Sequence, residues 1–148
     1  MTNRLQRFVD AQANGVFERA LAELQAGAKR THWMWFIFPQ IGGLGHSEMA
    51  RHYAIADLAE AKAYVAHPVL GPRLAQVADA AVAAGRDPVR LMGSIDAVKL
   101  RSSATLFEVA GGFEAADGGA PYAEVLDTLF DGRRDDATLS LLRFSTAS

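Results

Sequence analysis

The sequence has 148 residues, half of them hydrophobic and 22% charged, with a net charge of −2, values typical of one globular domain. It has no cysteine, which excludes disulfide scaffolds, thiol catalysis and zinc sites with sulfur ligands. The balanced charge disfavours nucleic-acid binding, and no apolar run approaches the length of a membrane span. Because the N-terminus also lacks the apolar core of a signal peptide, we expect a single cytoplasmic domain over residues 1–148.

Apolar spacing and helix-breaking residues predict an all-α class, with a compact arrangement of about eight short helices around an aromatic core. No strand pattern stands out. The predicted helices run through about residues 3–12, 16–26, 33–38, 48–55, 58–66, 68–84, 94–110, 121–130 and 137–144, with a short turn at 87–93.

Capping residues mark several of these helix starts. Ser47, Asp57 and Asp87 precede predicted helical residues, and Asp135 or Asp136 precedes the last helix. Thr2 or Asn3 is the expected cap of the first helix. The pair Gly111–Gly112 is predicted to end the 94–110 helix, followed by a small-residue loop from Phe113 to Gly119.

The run Trp33–Phe38 contains both tryptophans and consists of six consecutive large apolar residues. Such a run belongs in the core, since a buried Trp or Phe removes roughly 150–250 Å² from water. Thr31 is a suitable N-cap and Pro39 a suitable end, so we predict a short buried helix. The run leads directly into the glycine-rich turn Gly42–Ser47, where a backbone can approach a ligand closely.

Four residues of this stretch are candidate site residues. His32 could carry a proton near neutral pH, and Trp33 and Trp35 could stack against a ring. Gln40 is expected at the surface end of the run. The alternative is structural: a hydrogen-bonded core histidine beside two core tryptophans.

The glycine-rich turn also has two interpretations. Gly43, Gly45 and Ser47 precede a predicted helix, so their backbone N–H groups and the serine hydroxyl could hold a phosphate or carboxylate. The turn lacks the lysine and preceding strand of a P-loop, which argues against nucleoside triphosphate binding. The alternative is a tight turn with Ser47 as an N-cap.

The 94–110 helix carries hydroxyl groups on its predicted apolar face. Ile95, Val98, Leu106 and Val109 share one face by helical spacing, and Ser102 falls in the middle of it. We therefore expect Ile95 and Val98 to be buried.

Lys99 lies near the edge of that face, and Ser103 lies one turn after it. A desolvated lysine beside Ser102 and Ser103 could act as a base or bind an anion. The alternative is that Lys99 pairs with an acid such as Asp96, while the serines bond back to carbonyls four residues earlier.

Histidine spacing gives no metal motif. His46 and His52 are six residues apart, whereas helical metal pairs stand three or four apart. We predict no metal ligand and no cofactor.

Several motifs together resemble a bacterial family of uncharacterised small proteins. They are HWMWFIFPQ at 32–40, EAKAY at 60–64, HPVLG at 67–71, KLRSSATLF at 99–107 and FDG at 130–132. This domain of unknown function belongs to a superfamily named after a mycobacterial hypothetical protein, and its members are sometimes mislabelled calpastatin. The resemblance covers nearly the whole chain and implies a single helical domain with no established activity.

Two functional hypotheses follow. In the first, residues 32–47 and 99–103 meet in a pocket that binds an anionic metabolite or a nucleotide derivative. If that site is catalytic, His32 or Lys99 is the base and no metal takes part. In the second, the chain is a non-enzymatic interaction domain whose candidate residues are packed or paired, with an exposed apolar patch elsewhere.

Overall fold

Glycines and prolines divide the chain into short helices. The computed structural model describes residues 4–85, 87–114 and 119–147. The described residues form ten helices and no strand, and Ile41 pairs with Ile55 in an isolated parallel bridge. The all-α prediction is confirmed: each predicted helical range corresponds to one helix, and the turn predicted at 87–93 is the short helix Pro88–Met92. The helices are α1 (Gln6–Ala11), α2 (Val16–Gln25), α3 (Met34–Ile37), α4 (Glu48–His52), α5 (Leu58–Ala66), α6 (Leu70–Ala83), α7 (Pro88–Met92), α8 (Ser94–Glu114), α9 (Ala120–Leu129) and α10 (Asp136–Ala147).

Side-chain caps begin the helices at the predicted places. Ser47, Asp57 and Asp87 each accept a hydrogen bond from a backbone N–H two or three residues further along. Asp135, rather than Asp136, caps α10. These bonds satisfy backbone donors that a helix start leaves without an internal partner.

The end of α8 differs from the prediction. The helix continues through Gly111–Gly112 to Glu114. A Cβ atom on Gly111 would lie 2.8 Å from the Cα atom of Gly119, so this glycine lets α8 approach the start of α9 closely. The packing outweighs the cost of a helical glycine, about 1 kcal/mol. Residues 115–118 of the predicted loop and the predicted cap at residues 2–3 lie outside the described residues.

α8 lies at the centre of the fold and contacts α5, α7, α9 and α10. The ring of Phe107 on α8 lies 5.1 Å from that of Tyr64 on α5 and 6.1 Å from that of Tyr122 on α9. Tyr64 in turn contacts Phe8 of α1 at 5.2 Å. The predicted aromatic core is therefore present, and its centre is the contact between α5 and α8.

The buried face of α8 is not the predicted one near its start. Ile95 and Val98 are 73% and 57% exposed, whereas Leu100 and Phe107 are fully buried. Both sets have helical spacing, so periodicity alone favours neither. The face that carries Phe107 is buried because its ring completes the aromatic core.

Candidate functional site

The Trp33–Phe38 run forms a short buried helix as predicted, with two differences, in the burial of Trp35 and in the N-cap. All six residues are buried except Trp35, which is half-buried. The helix α3 is one turn long, and its N-cap position is Trp33. Thr31 is not the cap: its backbone N–H and its hydroxyl both donate to the carboxylate of Glu23.

Glu23 is a buried carboxylate that fixes the start of this run. Its Oε1 accepts hydrogen bonds from the indole N–H of Trp33 at 2.9 Å and the backbone N–H of Arg30 at 2.8 Å. Burial alone would raise the pKa of Glu23. The hydrogen bonds from Thr31, Arg30 and Trp33 outweigh it and lower the pKa to about 2. Trp33 is 1% exposed and is held in place by its hydrogen bond to Glu23. It lines neither the cleft nor the small cavity described below.

Two lysines share one carboxylate at the start of α8. Asp96 Oδ2 lies 2.9 Å from Lys29 Nζ, and Asp96 Oδ1 lies 3.6 Å from Lys99 Nζ. The Lys29 side chain is 7% exposed and also donates to the carbonyl of Thr31, whereas the Lys99 side chain is 25% exposed. Each ammonium also lies about 5 Å from a tryptophan ring centroid, Lys29 by Trp33 and Lys99 by Trp35. Lys99 is thus the less tightly held of the two cations.

These groups line an open cleft of about 460 Å³, which we call the Lys99 cleft. Its volume is within the range of small-molecule sites. The lining combines charged side chains, an exposed histidine and large apolar side chains. It consists of Lys29, His32, Met34, Trp35, Met92, Gly93, Ser94, Ile95, Asp96 and Lys99.

A much smaller cavity of about 20 Å³ lies beside the cleft and shares Met34, Trp35 and Lys99 with it. Gln40, Gly43 and Gly45 line this cavity. Its volume is enough for one water molecule, given polar partners. The structure therefore brings Gln40 and the two glycines of the turn close to Trp35 and Lys99.

Packing and backbone geometry explain the glycines of the turn. Gly43 has φ of +105°, and a Cβ atom on Gly45 would lie 2.7 Å from the Cβ of Ala50. The N–H of Gly42 donates to the carbonyl of Ile55 at 2.8 Å, which anchors the turn to the segment after α4. Ser47 is exposed, and its hydroxyl accepts the N–H of Ala50 as an N-cap. Ser47 lines neither the Lys99 cleft nor the small cavity.

Ser102 and Ser103 also line neither the Lys99 cleft nor the small cavity. Ser102 Oγ lies 3.2 Å from the carbonyl oxygen of Val98 and 3.3 Å from Oδ2 of Asp135. Ser103 is 1% exposed, and its hydroxyl has no hydrogen-bond partner within the described part of the chain. The two serines face a buried polar cluster around Asp135 and the core, not the Lys99 cleft.

The histidines are dispersed. His67 Nδ1 accepts the backbone N–H groups of Val69 and Leu70, which begin α6. Over residues 4–85, 87–114 and 119–147, no group of three or more His, Cys, Asp or Glu side chains could hold a metal ion. In the same ranges, no helix is both long enough and apolar enough to cross a membrane.

Comparison with known proteins decides the family. Residues 2–142 match the family described as Protein of unknown function (DUF1810). The chain belongs to this family. The DUF1810 chain is also similar to the conserved hypothetical protein Rv1873 from Mycobacterium tuberculosis, whose crystal structure matches it with a TM-score of 0.87. The two sequences are 42% identical, and the match covers 94% of this chain and 96% of that one. No curated protein matches the DUF1810 chain.

Several residues of the site escape sequence-based prediction. Lys29 and Glu23 precede the aromatic run, and nothing in their spacing indicates a shared carboxylate or a buried one. Met92 and Ile95 also line the cleft. The sequence places Met92 in a predicted turn and Ile95 on a predicted buried face, so neither is indicated as a site residue. Only Asp96, three residues before Lys99, is indicated by helical spacing.

Proposed function

We propose that the chain binds a small organic anion in the Lys99 cleft. One observation carries this proposal: Lys99 lines a cleft of about 460 Å³, and its ammonium lies 3.6 Å from Asp96, farther than the 2.9 Å that separates Lys29 from the same carboxylate. An anion that reaches Lys99 gains a charge-assisted hydrogen bond and gives up a weak ion pair.

The carboxylate that Lys29 and Lys99 share supports Lys99, rather than Lys29, as the lysine that binds the anion. Asp96 keeps its 2.9 Å contact with the buried Lys29 when a ligand takes its place at Lys99. Lys29 therefore keeps its partner, and the free-energy cost of a buried, unpaired lysine is avoided. Asp96 also lies in the first turn of α8, where the helix dipole favours a carboxylate.

The remaining candidate residues take secondary roles in this proposal. Trp35 offers a half-buried ring beside Lys99, and His32 is an exposed side chain on the cleft wall. Gln40, Gly43 and Gly45 border the adjoining water-sized cavity. If the bound anion is also a substrate, His32 and Lys99 are the groups available to move a proton.

The test is a thermal-shift and calorimetric titration with nucleotides, sugar phosphates, inorganic phosphate and carboxylates. A ligand at one hundred times its Kd stabilises the fold by about 2.7 kcal/mol, a shift that is easily detected. Binding is expected to be lost in Lys99→Met, which leaves the Lys29–Asp96 pair intact. Lys62→Met is the matched control because Lys62 lines neither the Lys99 cleft nor the small cavity.

The outcomes separate the proposal from the interaction-domain hypothesis. Binding that K99M abolishes and K62M preserves supports an anion site at Lys99. A large loss of stability in K99M would instead identify Lys99 as a structural ion-pair partner. If no compound shifts the melting temperature, the proposal fails and a protein partner becomes the better hypothesis.

A further inference from the structure

We infer that the ligand of the Lys99 cleft is a monoanion with an apolar chain or ring, of the alkyl or aryl carboxylate class. This inference rests on the proposed function and adds the chemistry of the ligand. The carboxylate replaces Asp96 at Lys99, and the apolar part lies against Met34, Met92 and Ile95.

The charge of the cleft favours a single negative charge on the ligand. Lys29, Lys99 and Asp96 together carry a net charge of +1 beside the ligand position. A carboxylate neutralises this charge. A phosphate dianion or a nucleotide polyphosphate would face the carboxylate of Asp96 with excess negative charge, and like charges at close range are strongly unfavourable.

The apolar lining favours a ligand with hydrocarbon. Four of the ten lining residues are large and apolar: Met34, Trp35, Met92 and Ile95. Contact with hydrocarbon removes the exposed surface of Trp35 and Ile95 from water, which contributes to affinity in proportion to the area buried. A free phosphate or a sugar phosphate leaves this lining in contact with water.

Ile95 is the most informative of these side chains. It is 73% exposed, the most exposed large hydrophobic residue in the described ranges. A single exposed hydrophobic residue is ordinary on a protein surface. Ile95 differs because it lines a cleft beside two lysines, where an apolar ligand would cover it.

The other apolar residues form a packed floor and one wall of the cleft. Met34 and Met92 are 2% and 8% exposed, so they are anchored in the core. They contribute only a small apolar area to the cleft, at its floor. The half-buried ring of Trp35 adds a flat apolar surface next to Lys99 and supplies a fluorescence signal for binding.

The experiment measures the Kd of hexanoate, octanoate and decanoate below their micellar concentrations, by calorimetry and tryptophan fluorescence. Inorganic phosphate, glucose 6-phosphate and octanol are the comparison probes. Affinity is expected to rise with chain length, by up to about fourfold per buried methylene. K99M is expected to weaken all three carboxylates by a similar factor and to leave octanol unchanged.

Ile95→Ser is expected to flatten the chain-length dependence while hexanoate binding changes little. Val89→Ser is the matched control, because Val89 is also more than half exposed but does not line the cleft. Affinity that is independent of chain length would overturn the inference, and so would equal effects of I95S and V89S. If phosphate and glucose 6-phosphate then bind with the same K99M dependence, the anion site stands without its apolar specificity. If none of the anions binds, both proposals fail.

Discussion

The indole N–H of Trp33 donates to Oε1 of Glu23 at 2.9 Å, which ties the aromatic run to α2 through a buried carboxylate. The same oxygen accepts the backbone N–H groups of Arg30 and Thr31. One acidic side chain thus orients both the core tryptophan and the segment that leads to the Lys99 cleft.

Glu23→Gln is expected to destabilise the fold by about 1–3 kcal/mol, because charged acceptors make the stronger hydrogen bonds. Urea denaturation at neutral pH measures the change. Glu18→Gln on the same helix is the control, since Glu18 is exposed and its substitution should change stability by less than about 0.5 kcal/mol. Equal effects of E23Q and E18Q would contradict the role of Glu23.

Acid stability should depend on the same residue. The folded-state pKa of Glu23 is lowered from 4.5 to about 2, so its ionised form stabilises the fold above pH 4.5. That contribution is lost as the pH falls from 4.5 towards 2. Unfolding free energies at pH 7, 5, 4 and 3 should therefore fall less steeply in E23Q than in the wild type. Parallel profiles would exclude Glu23 as a source of the acid sensitivity.

The two tryptophans should differ in their contribution to stability. Trp33→Ala removes a side chain that is 1% exposed and should cost about 3–5 kcal/mol. Trp35→Ala removes a half-buried side chain and should cost about 1–2 kcal/mol. Chemical denaturation of both variants tests the difference, and a larger loss in W35A would contradict the placement of the two rings.

Gly71 allows α6 to begin directly against the end of α5. A Cβ atom at this position would lie 2.2 Å from the carbonyl oxygen of Val65. Gly71→Ala should therefore destabilise by about 1–3 kcal/mol, because the backbone must move. Gly42→Ala is the control, since its Cβ would make ordinary contact with Ala54 at 3.5 Å. Melting curves in which the two variants shift alike would refute the steric argument.

Asp135 joins α10 to α8. Its Oδ2 accepts the N–H and the hydroxyl of Thr138, and its Oδ1 lies 3.5 Å from Nη2 of Arg101. Asp135→Ala should cost about 1–3 kcal/mol through loss of the cap and of these buried bonds. Asp136→Ala, at an exposed position one residue later, should cost less than about 1 kcal/mol. The ranking of the two variants in urea denaturation tests which aspartate caps the helix.

Local sequence signals determined most of the secondary structure. Ser47, Asp57 and Asp87 mark helix starts because a short polar side chain satisfies the first free N–H groups wherever it precedes a helix. The all-α class follows from the same local information. Gly111 and Thr31 are exceptions. A glycine that ends a helix and a glycine that permits a close helix contact look the same in sequence, and Thr31 bonds to the distant Glu23 instead of capping α3.

The candidate site was only partly visible in the sequence. Six of the predicted site residues line the Lys99 cleft, the small cavity beside it, or both: His32, Trp35, Gln40, Gly43, Gly45 and Lys99. Trp33, Ser47, Ser102 and Ser103 do not, because each faces a structural partner or the core. Lys29 and Met92 join the site only through the packing of the segment 29–35 against α7 and the start of α8.

The sequence by itself determined the helical class, most of the caps and the burial of most of the aromatic run, since these depend on residues close together in the chain. Tertiary structure alone decided which face of α8 is buried and which of the two lysines pairs more closely with Asp96. Ile95 and Leu100 are equally apolar, and only the position of the Phe107 ring in the core makes one exposed and the other buried. Likewise, Asp96 holds Lys29 more closely than Lys99 because residues 67 positions apart are brought together by the fold.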